Sequence, residues 1–276
     1  MKIIKKIEWS FSSNVYLVEI KGIEYILKHY DDDNEVITEK EFSKELSKHN
    51  IESLSFFEYE NLKTNEILLE YIENSKTLWD NFSESNCKKW GEITKKIHEI
   101  KFDSCFKYGD NGEKIEMIWS DYLAAKLERA FRKAKENNNY GFSENEIEKI
   151  KEYLNPLLKI KLKEFSLIHG DFHSGNILIK NDQLIVFDKN PEIFTGDFLL
   201  DLAIEIIDIP NGALIHADNP EYASDKKHLN SFIKGYDYNF LDNPNLNKYI
   251  MLIAFGRLYT PFSENYKDII YNLLKK

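Results

Sequence analysis

The sequence predicts an α+β protein in two parts: a small β-rich N-terminal lobe over residues 1–72 and a larger, mainly helical C-terminal lobe over 73–276. Three observations lead there. Short β-branched and aromatic runs crowd the first 72 residues, whereas apolar residues recur at helical spacing through much of the remainder. One strand–turn–strand pattern interrupts those helices: Ile177-Leu-Ile179, a turn at Lys180-Asn181-Asp182, then Leu184-Ile-Val-Phe187.

In chain order, residues 14–20 and 22–28 read as strands joined near Lys21-Gly22. On the second, Glu24, Ile26 and Lys28 share one face by the two-residue period. Residues 36–48 read as a helix with Glu39, Phe42 and Leu46 on one stripe. Residues 56–59 and 67–71 supply two more strands. Residues 87–100 carry Trp90, Ile93, Ile97 and Ile100 at amphipathic spacing. Further helices are expected over 118–135, 143–158, 199–209 and much of 246–276.

A chain of 276 residues can bury a large core. Its net charge of −10 offers no basic patch for phosphate backbones, so nucleic acid is not an expected partner. No apolar run reaches the roughly 18–20 residues of a membrane span, and the first residues lack a signal-like apolar stretch. Cys87 and Cys105 suit a reducing compartment, so a cytoplasmic location is expected.

The chemistry concentrates in His169-Gly-Asp171-Phe-His173-Ser-Gly-Asn176. A hairpin after Asn176 returns the chain to Asp188, so Asn176 and Asp188 should lie close together, with Asp171 one loop away. Two carboxylates and a carboxamide at one mouth suit a hard cation such as Mg²⁺ and a general base. Zinc fits less well, because His169, His173 and His98 lack a thiolate or a helical H-E-x-x-H.

These residues resemble the catalytic loop of the aminoglycoside phosphotransferase family, small-molecule kinases with a protein-kinase-like fold. Their loop reads H-G-D-x-x-x-x-N, as here, and Gly196-Asp197-Phe-Leu-Leu-Asp201-Leu-Ala203 resembles their later G-D-x-x-x-D-L-A. The resemblance implies Asp171 as the catalytic base, Asn176 and Asp188 as Mg²⁺ ligands, and Asp201 as a brace for the loop. It makes Lys28 the lysine on the nucleotide phosphates, paired with Glu39 or, alternatively, Glu41. Ser12 and Ser13 would cover the phosphates in a loop that lacks the glycines of protein kinases. Val15 and Ile26 would roof the adenine, Leu178 floor it, and Glu70 to Ile72 hydrogen-bond its edge. Glu205 and Asp208, four and seven positions past Asp201 on one helix face, could line the mouth toward a cationic substrate. The implied reaction is Mg²⁺-dependent transfer of the γ-phosphate of ATP or GTP to a hydroxyl of an aminoglycoside-type antibiotic. The alternatives are a metabolite acceptor (choline, a methylthio-sugar, a fructosamine or homoserine) or a nucleotide-binding module without turnover.

Overall fold

The computed structural model describes residues 1–7, 14–209, 223–260 and 263–275. The chain opens with β1 (Lys2–Ile7), β2 (Asn14–Ile20), β3 (Ile23–His29), α1 (Asp33–Lys48), β4 (Phe56–Phe57), β5 (Glu66–Glu70) and β6 (Lys76–Thr77). The middle holds α2 (Glu84–Glu99), β7 (Lys101–Phe102), β8 (Cys105–Tyr108), β9 (Lys114–Met117), α3 (Trp119–Glu136), α4 (Glu144–Leu154) and β10 (Phe165–Leu167). After the motif come β11 (Ile177–Lys180), β12 (Gln183–Val186), β13 (Thr195–Gly196), α5 (Leu199–Asp208), α6 (Ala223–Tyr236), α7 (Leu246–Gly256) and α8 (Ser263–Leu274). This is the expected α+β architecture. It divides into two compact units. The first comprises Met1–Asn81, Phe106–Ile115 and His169–Phe194; the second comprises Phe82–Cys105, Glu116–Ile168 and Thr195–Lys276.

In the first unit, β1 to β5 form an antiparallel sheet in the order β1-β2-β3-β5-β4. The strands alternate. Leu27 joins Val18 and Leu68 on one face, while Ile26 packs with Ile67, Leu69, Tyr30 and Val36 on the other. Lys28 therefore shares a face with Ile26 and Tyr30. The turns are of the kind hairpins favour, with positive φ at both central residues: Lys21 (53°) and Gly22 (82°) between β2 and β3, Asn181 (50°) and Asp182 (63°) between β11 and β12. Strand β1 escaped the sequence reading because five of its six residues are exposed and the sixth is half-buried. An edge strand without an inward face leaves no alternation to read; backbone pairing to β2 defines it instead.

In the second unit, α2 starts at Ser83, whose side chain accepts the Asn86 N–H, and α4 starts in a capping box between Ser143 and Glu146. Helices α2 and α6 meet at glycines. A Cβ at Gly91 would fall 2.1 Å from the Phe232 carbonyl oxygen, and one at Gly235 would fall 1.9 Å from the Lys88 oxygen. Helix α6 was not anticipated: among its described side chains the buried stripe is Leu229, Phe232 and Tyr236, and Gly235 interrupts it. Gly91→Ala is expected to force the two backbones apart and cost about 1–3 kcal/mol, seen as a lower thermal midpoint. An unchanged midpoint would mean that the pair is not tightly packed in solution. Among the described residues no helix is long and apolar enough to cross a membrane. Both cysteine thiols are buried and unbridged, and burial pushes each up to about 12.

Candidate active site

The first unit gathers a buried charged cluster at the end of β3. Lys28 Nζ is hydrogen-bonded to Asp188 Oδ1 and lies 3.7 Å from Glu39 Oε2. Glu39 Oε1 accepts the Asp188 backbone N–H at 2.8 Å, and Glu39 Oε2 accepts the Tyr30 hydroxyl at 2.8 Å. Glu41, the alternative partner, instead accepts from Lys44 on the surface. Burial alone would depress the Lys28 ammonium, but the charges of Glu39 and Asp188 outweigh it and raise its pKa above the ordinary lysine value. Lys28 therefore stays protonated. Burial raises Glu39, and the Lys28 charge opposes that rise.

Asp188 follows β12 with φ of 64°, a left-handed conformation that Asp tolerates better than most residues. That turn directs its N–H to Glu39. The hairpin register brings Asn176 to the same end, since Ile177 faces Val186 and the Phe187 N–H donates to the Asn176 carbonyl at 3.2 Å.

The loop before the hairpin is fixed through its backbone. The Asp171 carbonyl accepts both the His173 N–H and Asn176 Nδ2, each at 2.9 Å. Its side chain remains 41 % exposed. His169 is fully buried; its Nε2 donates to the Phe187 carbonyl at 2.9 Å and its ring stacks on Phe172. It ties the loop to the residue preceding Asp188.

Ile26, Ile72 and Leu178 are half-buried and pack against one apolar cluster containing Ile67, Leu69 and Ile185, with Phe187 beside them. Val15 is half-buried on β2, opposite Lys28. The Glu70 N–H goes to the Ser55 carbonyl, and its carboxylate accepts Lys180 Nζ at 2.5 Å. Ser12 and Ser13 lie outside the described residues.

Glu205 is placed differently from the acidic wall expected of it. It is 0 % exposed inside the second unit, where it bonds the Thr94 hydroxyl at 2.5 Å. Helix α5 is buried nearly all round, so spacing alone could not tell an inward carboxylate from an outward one. Asp208 is half-buried at the end of the same helix. The Thr94 hydroxyl also lies 2.9 Å from the Trp90 carbonyl. The Thr94 hydroxyl donates to the Glu205 carboxyl. Burial, with the nearby Asp201 charge, raises its pKa well above the usual carboxylate range. The folded protein therefore keeps the Glu205 proton to a higher pH than the unfolded chain, which releases it near a pH of about 4.3. Stability from this group is fully present below that pH and is lost as pH rises toward the folded value. Glu205→Gln is accordingly expected to raise the thermal midpoint at pH 7.5 and to leave it unchanged at pH 4. An equal shift at both values would place the effect elsewhere.

Two participants were missed in the sequence. Tyr30 lies under Lys28, with Nζ 4.4 Å from the ring centroid, and bonds Glu39; its signal was the same two-residue period that placed Lys28. Tyr30→Phe should cost about 1–3 kcal/mol by leaving a buried Glu39 oxygen without its donor, read as a lower urea midpoint; an unchanged midpoint would show that the bond adds nothing. Lys189 is buried against Phe42 and Phe194, and its ammonium bonds the Asn190 and Ile193 carbonyls. It pins the segment after Asp188. Further along, Asp197 accepts from Tyr249, which accepts from Trp119, and Asp201 lies 3.4 Å from His98.

The donor set suits Mg²⁺. Asn176 Nδ2 is engaged with the Asp171 carbonyl, so Oδ1 is the atom of Asn176 that could ligate a cation, and Asp188 adds a partly exposed carboxylate. Among the described residues no three His, Cys, Asp or Glu side chains could hold a metal by themselves.

The antiparallel sheet with its lysine, the glutamate on α1 and the hairpin-borne loop define a kinase-like phosphotransferase of small molecules. The sequence model of the phosphotransferase enzyme family matches residues 3–217, and the chain belongs to that family. No curated protein matches it. Among solved structures it is similar to a thermostable mutant of aminoglycoside phosphotransferase APH(4)-Ia in ternary complex with AMP-PNP and hygromycin B (TM-score 0.68, 13% identity, 98% of this chain and 92% of that one). It is similar also to an amicoumacin kinase in complex with AMP-PNP, Ca²⁺ and amicoumacin (0.62, 14%, 96% and 85%). A third is spectinomycin phosphotransferase APH(9)-Ia in complex with ADP and spectinomycin (0.61, 13%, 98% and 92%). At such identities the likeness is one of fold.

Proposed function

We propose that this chain transfers the γ-phosphoryl group of ATP or GTP to a hydroxyl of a small, cationic, antibiotic-like acceptor of the aminoglycoside kind. The observation that carries the reading is the cluster of Lys28, Glu39 and Asp188 on the same compact unit as Asp171 and Asn176.

In this reading residues 1–72 clamp the nucleotide, and the rest of the chain carries the catalytic loop and the acceptor. Lys28, kept charged by its carboxylate neighbours, holds phosphate oxygens. Ile26, Ile72, Leu178 and Phe187 offer the base a half-buried apolar surface. Asn176 and Asp188 would hold Mg²⁺, which would neutralise phosphate charge. Asp171 takes the proton of the attacking hydroxyl as its oxygen bonds to the γ-phosphorus. The bond from that phosphorus to the bridging oxygen breaks, and the nucleoside diphosphate leaves.

A cationic acceptor fits the net charge of −10 and the antibiotics bound by similar structures. Paired acceptors test this: aminoglycosides against neutral sugars of similar size, with choline and a fructosamine alongside. The expected product is a phosphorylated aminoglycoside with a lower KM than any neutral sugar gives. Transfer only to a neutral metabolite would overturn the acceptor assignment and keep the chemistry.

A further inference from the structure

We propose that His173 is a positioning residue for phosphoryl transfer, holding the Asp171 carboxylate in its working orientation through an imidazole whose tautomer is fixed by Gly175. The inference rests on the proposed function, in which Asp171 is the base.

The Gly175 backbone N–H donates to His173 Nδ1 at 3.1 Å. A backbone N–H can only donate, so Nδ1 is the unprotonated nitrogen and the ring hydrogen sits on Nε2. That Nε2 lies 3.7 Å from Asp171 Oδ2. The N–H dipole thus faces one oxygen of the Asp171 carboxylate. The separation is slightly longer than a direct hydrogen bond, a gap that catalytic pairs close when substrate is bound.

The glycine is required by the ring. A Cβ at Gly175 would sit 2.8 Å from His173 Cε1 and 2.9 Å from Nδ1, and the φ of Gly175 is not in the left-handed region. Its missing side chain therefore serves the approach of the imidazole and not the path of the backbone. The motif Asp171-Phe-His173-Ser-Gly175 builds a seat for one ring in one tautomer, aimed at one carboxylate. Both side chains remain partly exposed, at 31 % and 41 %, so a purely structural contact would have little apolar surface to bury.

The test uses the whole protein with ATP, Mg²⁺ and its best acceptor. His173→Phe is expected to lower kcat about tenfold with both KM values within twofold, His173→Gln to recover most of it, and Gly175→Ala to follow His173→Phe. In the wild type, long-range ¹H–¹⁵N spectra should show the His173 hydrogen on Nε2. A kcat for His173→Phe equal to wild type, or a hydrogen on Nδ1, would overturn the proposal. The tautomer is read on unmodified protein, so that arm stands even if a variant fails to fold. Asp171→Ala run alongside separates the two ideas: if it is fully active the base assignment itself fails, whereas an inactive Asp171→Ala with an active His173→Phe removes His173 alone.

Discussion

Asp171→Ala is expected to lower turnover by at least about 10²-fold, the usual contribution of a positioned general base, while nucleotide affinity stays near the wild-type value. The structure explains why the two readouts should separate. The Asp171 backbone is held by the His173 N–H and Asn176 Nδ2, and neither bond uses the deleted carboxylate. The loop should keep its shape, and Lys28, Glu39 and Asp188 should keep their contacts. A fall in kcat with kcat/KM falling equally marks an interaction made in the transition state. Full activity in this variant would remove Asp171 from the mechanism.

Asp188→Ala should remove the Mg²⁺ dependence of nucleotide binding and weaken binding in Mg²⁺ by at least about tenfold, given that losing even a supporting partner costs metal sites about 10–100-fold. Two effects combine here. The substitution deletes a proposed metal oxygen, and it leaves Lys28 with Glu39 as the one remaining carboxylate of the cluster. Asp188→Asn separates them, because its carboxamide keeps an oxygen at the proposed metal position while the charge beside Lys28 is gone. Calorimetric titration of AMP-PNP with and without Mg²⁺ reads the difference directly. Identical Mg²⁺ dependence in wild type and both variants would contradict the ligand assignment.

The parts legible in the sequence were those written locally. The candidate catalytic loop lies within eight residues, and the hairpin that returns Asp188 to Asn176 is announced by two β-branched runs around Asn181-Asp182. Strand periodicity placed Lys28 on one face of its strand and the apolar stripe placed Glu39 beside Phe42 and Leu46, while their pairing came from the family resemblance, with Glu41 as the alternative. What spacing could not supply was depth. Glu205 lies on a helix whose neighbours are buried on every side, so the same four-residue step that suggested a mouth-lining carboxylate leads into the core. Nor could spacing report backbone proximity. The role of Gly175 depends on where the His173 ring lies, and the use of Gly91 and Gly235 depends on a helix pairing 144 positions apart (235 − 91). Strand β1 shows a third limit, since an edge strand is specified by pairing and leaves little mark in its own side chains.

The central claim is that this chain moves a phosphoryl group with the machinery around Asp171. ³¹P NMR of the protein with ATP or GTP, Mg²⁺ and an aminoglycoside acceptor tests it most directly. The account predicts a new phosphate-ester resonance growing in step with nucleoside diphosphate, absent with Asp171→Ala. Intact nucleoside triphosphate in the presence of every acceptor offered, with the nucleotide nonetheless bound, would contradict it.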